Sequence, residues 1–229
     1  WLRGFNLIMT RTTGHNVARS SPIQVPQNLG TPGAQNSVYK ANLGPVYKKL
    51  TQDPAVPSAN EPVRVTVEIR DSDGVAGAEL KYRRDTTSTF TTVSMNDSGT
   101  DGDAQAGDHF WTGTIPGQPS GTIMEFYVEA TDWQGALTQH PPFPDGDASS
   151  TVMNNLAIYQ VGDKQVPGHR PLYRIILTHQ GEDALDNRAT LSNHLIPCTF
   201  VLNESEIFYN CGFRFRGSPF IRGNGCGGN

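Results

Sequence analysis

The sequence predicts a mainly β protein: an antiparallel β-sandwich followed by the opening of an α+β unit. Three observations carry this. Runs of apolar–polar alternation recur between Val63 and Val161, with no helical period between them. After Pro167 the pattern changes to a strand, one helical stretch and a cysteine-bearing hairpin. The chain also holds 24 Gly and 16 Pro in 229 residues, above the ~12% usual for a globular protein, so many turns should separate short strands.

Residues 1–62 are the least regular. Trp1 to Met9 is compatible with a strand, and polar, Pro-punctuated chain follows through Pro22, Pro26 and the segment Gly30–Ser37. A linker is expected over residues 38–62, where Pro54, Pro57 and Pro62 disfavour both helix and central strand. At Val63 the pattern sharpens. Val63, Val65, Val67 and Ile69 alternate with Arg64, Thr66, Glu68 and Arg70, as in a half-buried strand. Asp71–Gly74 closes it as a turn. Further strands are expected at Glu79–Arg84, Phe90–Met95, Phe110–Ile115, Ile123–Ala130 and Leu156–Val161. Within the fifth, Met124, Phe126, Val128 and Ala130 face one way and Glu125, Tyr127 and Glu129 the other. Trp111 and Tyr127 read as structural aromatics of the sandwich.

The unit from residue 170 starts with a strand at Leu172–Leu177. Gly181–Leu191 is the one plausible helix, with acidic residues in its first turn, where the macrodipole favours them. The segment Cys198–Cys211 reads as a hairpin turning at Glu204-Ser205. That register opposes Leu202 with Ile207, Phe200 with Tyr209, and Cys198 with Cys211. Opposed residues have Cα atoms ~4.5–5.5 Å apart, within disulfide reach. The alternative is two buried free thiols on an apolar face. Cys226 is left over. The chain starts at Trp1 and stops in Gly-Cys-Gly-Gly-Asn, and we expect it to be a piece of a longer protein.

A net charge of −4 and a pI near 5.8 leave no electrostatic footprint for nucleic acid or an anionic membrane. No apolar stretch approaches the ~18 residues of a membrane-spanning helix. The six histidines are scattered without metal-ligand spacing, and no Gly-x-Ser-x-Gly elbow, Walker loop or Cys-x-x-Cys is present.

The strongest local signal is the loop Asn96–Asp108, which carries Asp97, Asp101, Asp103 and Asp108 among glycines. Ca²⁺ takes about six to eight oxygens, and loops that supply them alternate Asp with Gly. The EF-hand rule does not fit the spacing. The other reading is a long hairpin loop whose Asp and Asn side chains make Asx turns while Gly takes positive φ. Asp71 and Asp73 form a second acidic turn, read as a plain turn. Arg214 and Arg216 share the face opposite Phe213 and Phe215, as solvated strand residues or as a phosphate-facing pair.

Three segments resemble known families. Gly30-Thr-Pro-Gly-Ala-Gln-Asn-Ser37 looks like the closing motif of bacterial lamin-tail domains, which makes residues 1–37 the end of such a domain. Residues ~44–161, through Asp71–Val75, Asn96–Asp108 and Phe126–Asp132, resemble the immunoglobulin-like or fibronectin-III-like domain of large secreted bacterial proteins. The sandwich itself is assigned to residues 63–162. Residues 170–229 resemble the opening of the spore-coat protein H (CotH) kinase-like family, carried by Leu172–Leu177 and Asn210-Cys-Gly-Phe-Arg-Phe-Arg-Gly-Ser218. Members of that family include atypical kinases that use ATP and a divalent metal.

The resemblance makes Arg214, Arg216, Gly217 and Ser218 family-motif, nucleotide-binding positions. It implies ATP and a divalent metal only in an intact parent, because the family's Lys strand and later acids are not in this sequence. It implies an extracellular or cell-surface protein whose partners are its own neighbouring domains and a surface polymer. The alternative is a non-catalytic carbohydrate- or protein-binding module.

Overall fold

The computed structural model describes residues 39–142, 156–166, 168–187 and 195–215. Two antiparallel sheets face each other. In the first, β1 (Val46–Asp53) pairs with β2 (Val63–Arg70), and β2 pairs with β5 (Phe110–Ile115). In the second, the order is β4 (Thr91–Met95), β3 (Val75–Arg84), β6 (Ile123–Asp132). The far edge of β6 is shared: β7 (Leu137–His140) pairs with its C-terminal half and β8 (Ala157–Gln160) with its N-terminal half.

The alternation read in the sequence is the reason for the core. Val63, Val65, Val67 and Ile69 of β2 are fully buried against Leu80 of β3 and Met124, Phe126 and Val128 of β6. Burying each large side chain contributes about 1.5–3 kcal/mol relative to leaving it exposed. Trp111 packs at the margin of this core.

The strands at residues 63–70 and 110–115 match the expected bounds, and β3 and β6 run longer than expected. Two strands escape the sequence reading. β1 lies inside the expected linker of residues 38–62, which is corrected accordingly. Its register shifts between Lys48 and Thr51, with Lys49 at φ 50°, so its alternation is broken. β7 has four residues, too few to show a period.

A third sheet follows, in the order β11 (Glu206–Phe213), β10 (Ile196–Leu202), β9 (Tyr173–Ile176). Between β9 and β10 comes α1 (His179–Asp186). Thr178 caps α1: its Oγ1 accepts from the Gly181 amide at 3.0 Å, satisfying one donor that the helix start leaves open. The helix begins two residues earlier than expected, and residues 188–191 of the expectation lie outside the described residues. Leu185 packs against Ile196, Cys198 and Phe200 on one face of the sheet.

The opposite face of this sheet packs on the sandwich. Ile176 and Val201 bury against Ile158 of β8 and Val56. The Ile158 amide donates to Thr199 Oγ1 at 3.1 Å in a fully buried setting. Tyr209 Oη donates to Gln52 Oε1 at 2.9 Å, and its ring meets Phe126 edge-on at 5.6 Å. Arg174 of β9 spans the join. Its guanidinium donates to both Glu204 carboxylate oxygens at 3.1 and 3.0 Å, to Gln160 Oε1 at 3.3 Å and to the Asp163 carbonyl at 2.6 Å.

The hairpin corrects one detail. Leu202 opposes Glu206, Val201 opposes Ile207 and Phe200 opposes Phe208; a bulge then restores Cys198 opposite Cys211. Asn210, at φ 55°, lies in the extra stretch of β11. The bulge rephases the strand, so Phe208, Cys211 and Phe213 all join the α1-side core while Tyr209 faces the sandwich.

Candidate functional site

The pairing registers divide the sandwich into two ends. Glu68 opposes Phe110, Ala78 opposes Met95 and Thr131 opposes Leu137. One end therefore gathers the β2–β3 turn, the β4–β5 loop, the β6–β7 turn and the start of β1. The third sheet occupies the other end, beside β8. Loops grouped at one end of a rigid sandwich are where such folds carry recognition.

The acidic loop is at the first of these, called the free end because among the described residues no other sheet packs on it. Carboxylate oxygens of Asp97, Asp103 and Asp108 lie within 4.8 Å of one another. Asp101 is not in this group; it is exposed, at φ 51°. The carboxylates also organise the loop. Asp97 Oδ1 accepts from the Gly107 and Asp108 amides at 2.8 and 3.2 Å, and its Oδ2 accepts from the His109 amide at 3.1 Å. Asp103, buried, accepts from the Gly99 amide at 2.6 Å, and Asp108 accepts from the Phe110 amide at 2.9 Å. Gly102 sits at φ 95°, and a Cβ there would lie 2.8 Å from Arg64 Nε. The Asx-turn architecture is thus present, and the carboxylate oxygens converge as well.

A second group joins turns far apart in sequence: Asp71, Asp73 and Asp132, again within 4.8 Å. Asp71 Oδ1 accepts from the Asp73 amide at 2.8 Å. Asp132 is buried, which works to raise its pKa. Hydrogen bonds from Asn42 Nδ2 at 2.6 Å and from the Ala136 and Gln134 amides at 2.8 and 2.9 Å outweigh this, holding its carboxyl below the ordinary range.

Trp133 follows directly and is 72% exposed. Its edge lies over Gly74, where a Cβ would meet Trp133 Cδ1 at 2.9 Å. Leu43 (75% exposed), Val46 (59%) and Leu137 (61%) are at the same end. Sequence reading singled out Trp111 and Tyr127 and passed over Trp133. The signal available for it was its place between Asp132 and Gly135, in a turn where a core aromatic has nothing to pack on.

The remaining predicted positions separate. Arg214 follows β11 directly. Arg216, Gly217, Ser218 and Cys226, and the lamin-tail-like residues 1–37, lie outside the described residues. Cys198 and Cys211 are opposed as expected, and both are buried free thiols. Burial pushes the Cys198 thiol up to about 12 and raises that of Cys211. The carboxylate groups and the exposed apolar residues therefore share one end of the sandwich, and the thiol pair lies apart from them in the third sheet. No family model and no curated protein matches the chain.

Proposed function

We propose that this chain is a non-catalytic stretch of a secreted, multidomain protein, in which the sandwich is a spacer or adhesion module holding the following unit in a fixed orientation. The observation that carries this is the seam between β8 and β10. It buries Val56, Ile158, Ile176 and Val201 and includes a buried amide–hydroxyl bond from Ile158 to Thr199. Modules joined by a mobile linker do not share buried hydrogen bonds of this kind; a buried, mainly apolar seam couples their orientations. In this reading the unit held is the start of a CotH-type kinase-like domain, supported by the motif Asn210–Ser218. ATP and its metal belong to the intact parent, and the chain itself transfers no phosphate.

The test is calorimetry of the whole chain together with hydrogen exchange at the Ile158 amide. One cooperative transition, with that amide among the most protected, supports the spacer reading. Two separated transitions with rapid exchange at Ile158 overturn it.

A second reading is favoured by the free end, which holds two carboxylate groups and the exposed Trp133 beside one of them. There the sandwich binds a surface carbohydrate or protein, with Ca²⁺ at Asp97, Asp103 and Asp108 as the ion such oxygen donors suit. Titration calorimetry of the whole chain and of Trp133→Ala against cell-wall glycans tests the ligand. Thermal melting with and without Ca²⁺ tests the ion. Flat heats across the glycan panel and unchanged melting dispose of this reading and leave the spacer reading standing.

A further inference from the structure

We propose that Cys198 and Cys211 close a disulfide across the β10–β11 hairpin when the chain folds in oxidising surroundings. The hairpin's own geometry favours this bond, whichever function the chain serves.

The turn alone would not bring these two residues together. From Leu202 opposite Glu206 through Phe200 opposite Phe208, the ladder runs in a register that would carry on to place Cys198 opposite Asn210. The bulge, with Asn210 at φ 55°, adds one residue to β11 and sets Cys198 opposite Cys211 instead. A non-glycine residue at positive φ carries a conformational cost, and here its result is to align two thiols. Both side chains also lie on the same face, within the cluster formed by Leu185, Ile196, Phe200 and Phe213. Directly opposed strand residues have Cα atoms about 4.5–5.5 Å apart, inside the window a disulfide requires. Cys226, the chain's remaining cysteine, lies outside the described residues.

The chemistry is thiol–disulfide exchange with a small-molecule disulfide of the glutathione class. The thiolate of one cysteine attacks a sulfur of the small disulfide, breaking its S–S bond and releasing one small thiol. The thiolate of the second cysteine attacks the mixed disulfide, forming the Cys198–Cys211 bond and releasing the second small thiol. The two protons lost by the cysteines end on the two released thiols. The small disulfide is reduced and the cysteine pair is oxidised. Burial raises both thiol pKa values and so depletes the thiolate. Exchange therefore proceeds before the α1-side core closes, or through openings of the sheet.

The experiment refolds the whole chain from denaturant in reduced and oxidised glutathione, alkylates free thiols, digests and maps the peptides by mass. The expected result is a linked Cys198–Cys211 peptide, about 2 Da lighter than its two reduced halves, in most of the folded material. The same link should form in Cys226→Ser. Full alkylation of Cys198 and Cys211, or linkage dominated by Cys226, overturns the proposal. A second measurement follows the melting midpoint of Cys226→Ser with and without reductant. It should fall on reduction, and an unchanged midpoint overturns the proposal. Cys198→Ala/Cys211→Ala should lose the reductant dependence; its persistence likewise overturns the proposal.

Discussion

Replacing Thr199 with Val keeps the shape of the side chain and removes its hydroxyl. Thr199 is fully buried, and its Oγ1 is the acceptor for the Ile158 amide at 3.1 Å. β8 already uses one edge against β6, and this amide reaches across the seam to β10. Thr199→Val leaves a buried N–H without that acceptor, at a cost of about 1–3 kcal/mol. For a chain of this size 1 kcal/mol corresponds to about 2–4 °C in melting temperature, so the midpoint should fall by roughly 2–12 °C. Thr199→Ser is the control. It keeps the acceptor and loses one methyl group, worth about 1 kcal/mol. Calorimetry of the wild type and both variants separates the two effects. Val should be worse than Ser, and the shift should appear in the transition that melts the sandwich. If Val melts with the wild type, or if only a minor separate transition moves, the seam does not couple the two parts.

Three further outcomes follow from the same structure. Phe126→Ala should cost about 3–5 kcal/mol in chemical denaturation, because Phe126 is fully buried and meets Tyr159 of β8 and Tyr209 of β11. Gly102→Ala should cost about 1–2 kcal/mol, read as a lower urea midpoint, since the position has φ 95° and Arg64 fills the space a Cβ needs. The hydrogen bond and charge of Asp85 beside His179 Nδ1, at 2.5 Å, raise the His179 pKa. A His whose folded pKa is raised contributes stability at pH below its unfolded value, and that contribution is lost as pH rises through the folded value. NMR titration should find the His179 pKa lower in Asp85→Asn than in the wild type, and the variant's stability deficit should be larger at acid than at alkaline pH.

How far the sequence could be read depended on whether periodicity survived locally. β2 and β6 are uninterrupted: alternation revealed both bounds and the buried face of β2, and the start and core face of β6, which runs on two residues to Asp132. β1 is interrupted by a register shift at Lys48–Thr51 and flanked by Pro45 and Pro54, so it looked like linker. The hairpin was found with its cysteines correctly opposed, but the inner pairs were off by one because nothing in Phe-Tyr-Asn-Cys announces a bulge. The acidic loop was visible as a cluster. Which of its aspartates converge was not, because Asp101 and Asp103 are separated by a glycine whose positive φ sends them to different places. The free end as a surface was the least legible feature. It assembles Leu43, Asp71, Asp97 and Trp133 from four segments, and only the topology makes them neighbours.

The stretch leading into β1 does not simply hang from the sandwich. Asn42 bonds Asp132, Thr138 Oγ1 donates to the Pro45 carbonyl at 2.6 Å, Tyr47 Oη donates to the Thr138 carbonyl at 2.6 Å, and the Tyr47 ring stacks on His140. Residues 42–47 thus run beside residues 132–140 in the same direction, tying one sheet to the other. The chain enters at the free end and leaves beyond β8 at the opposite end. Tension applied between residues 42 and 161 would pull these two parallel segments past each other. The bonds between them would then be loaded in shear and share the force, rather than opening one at a time as in an unzipping hairpin.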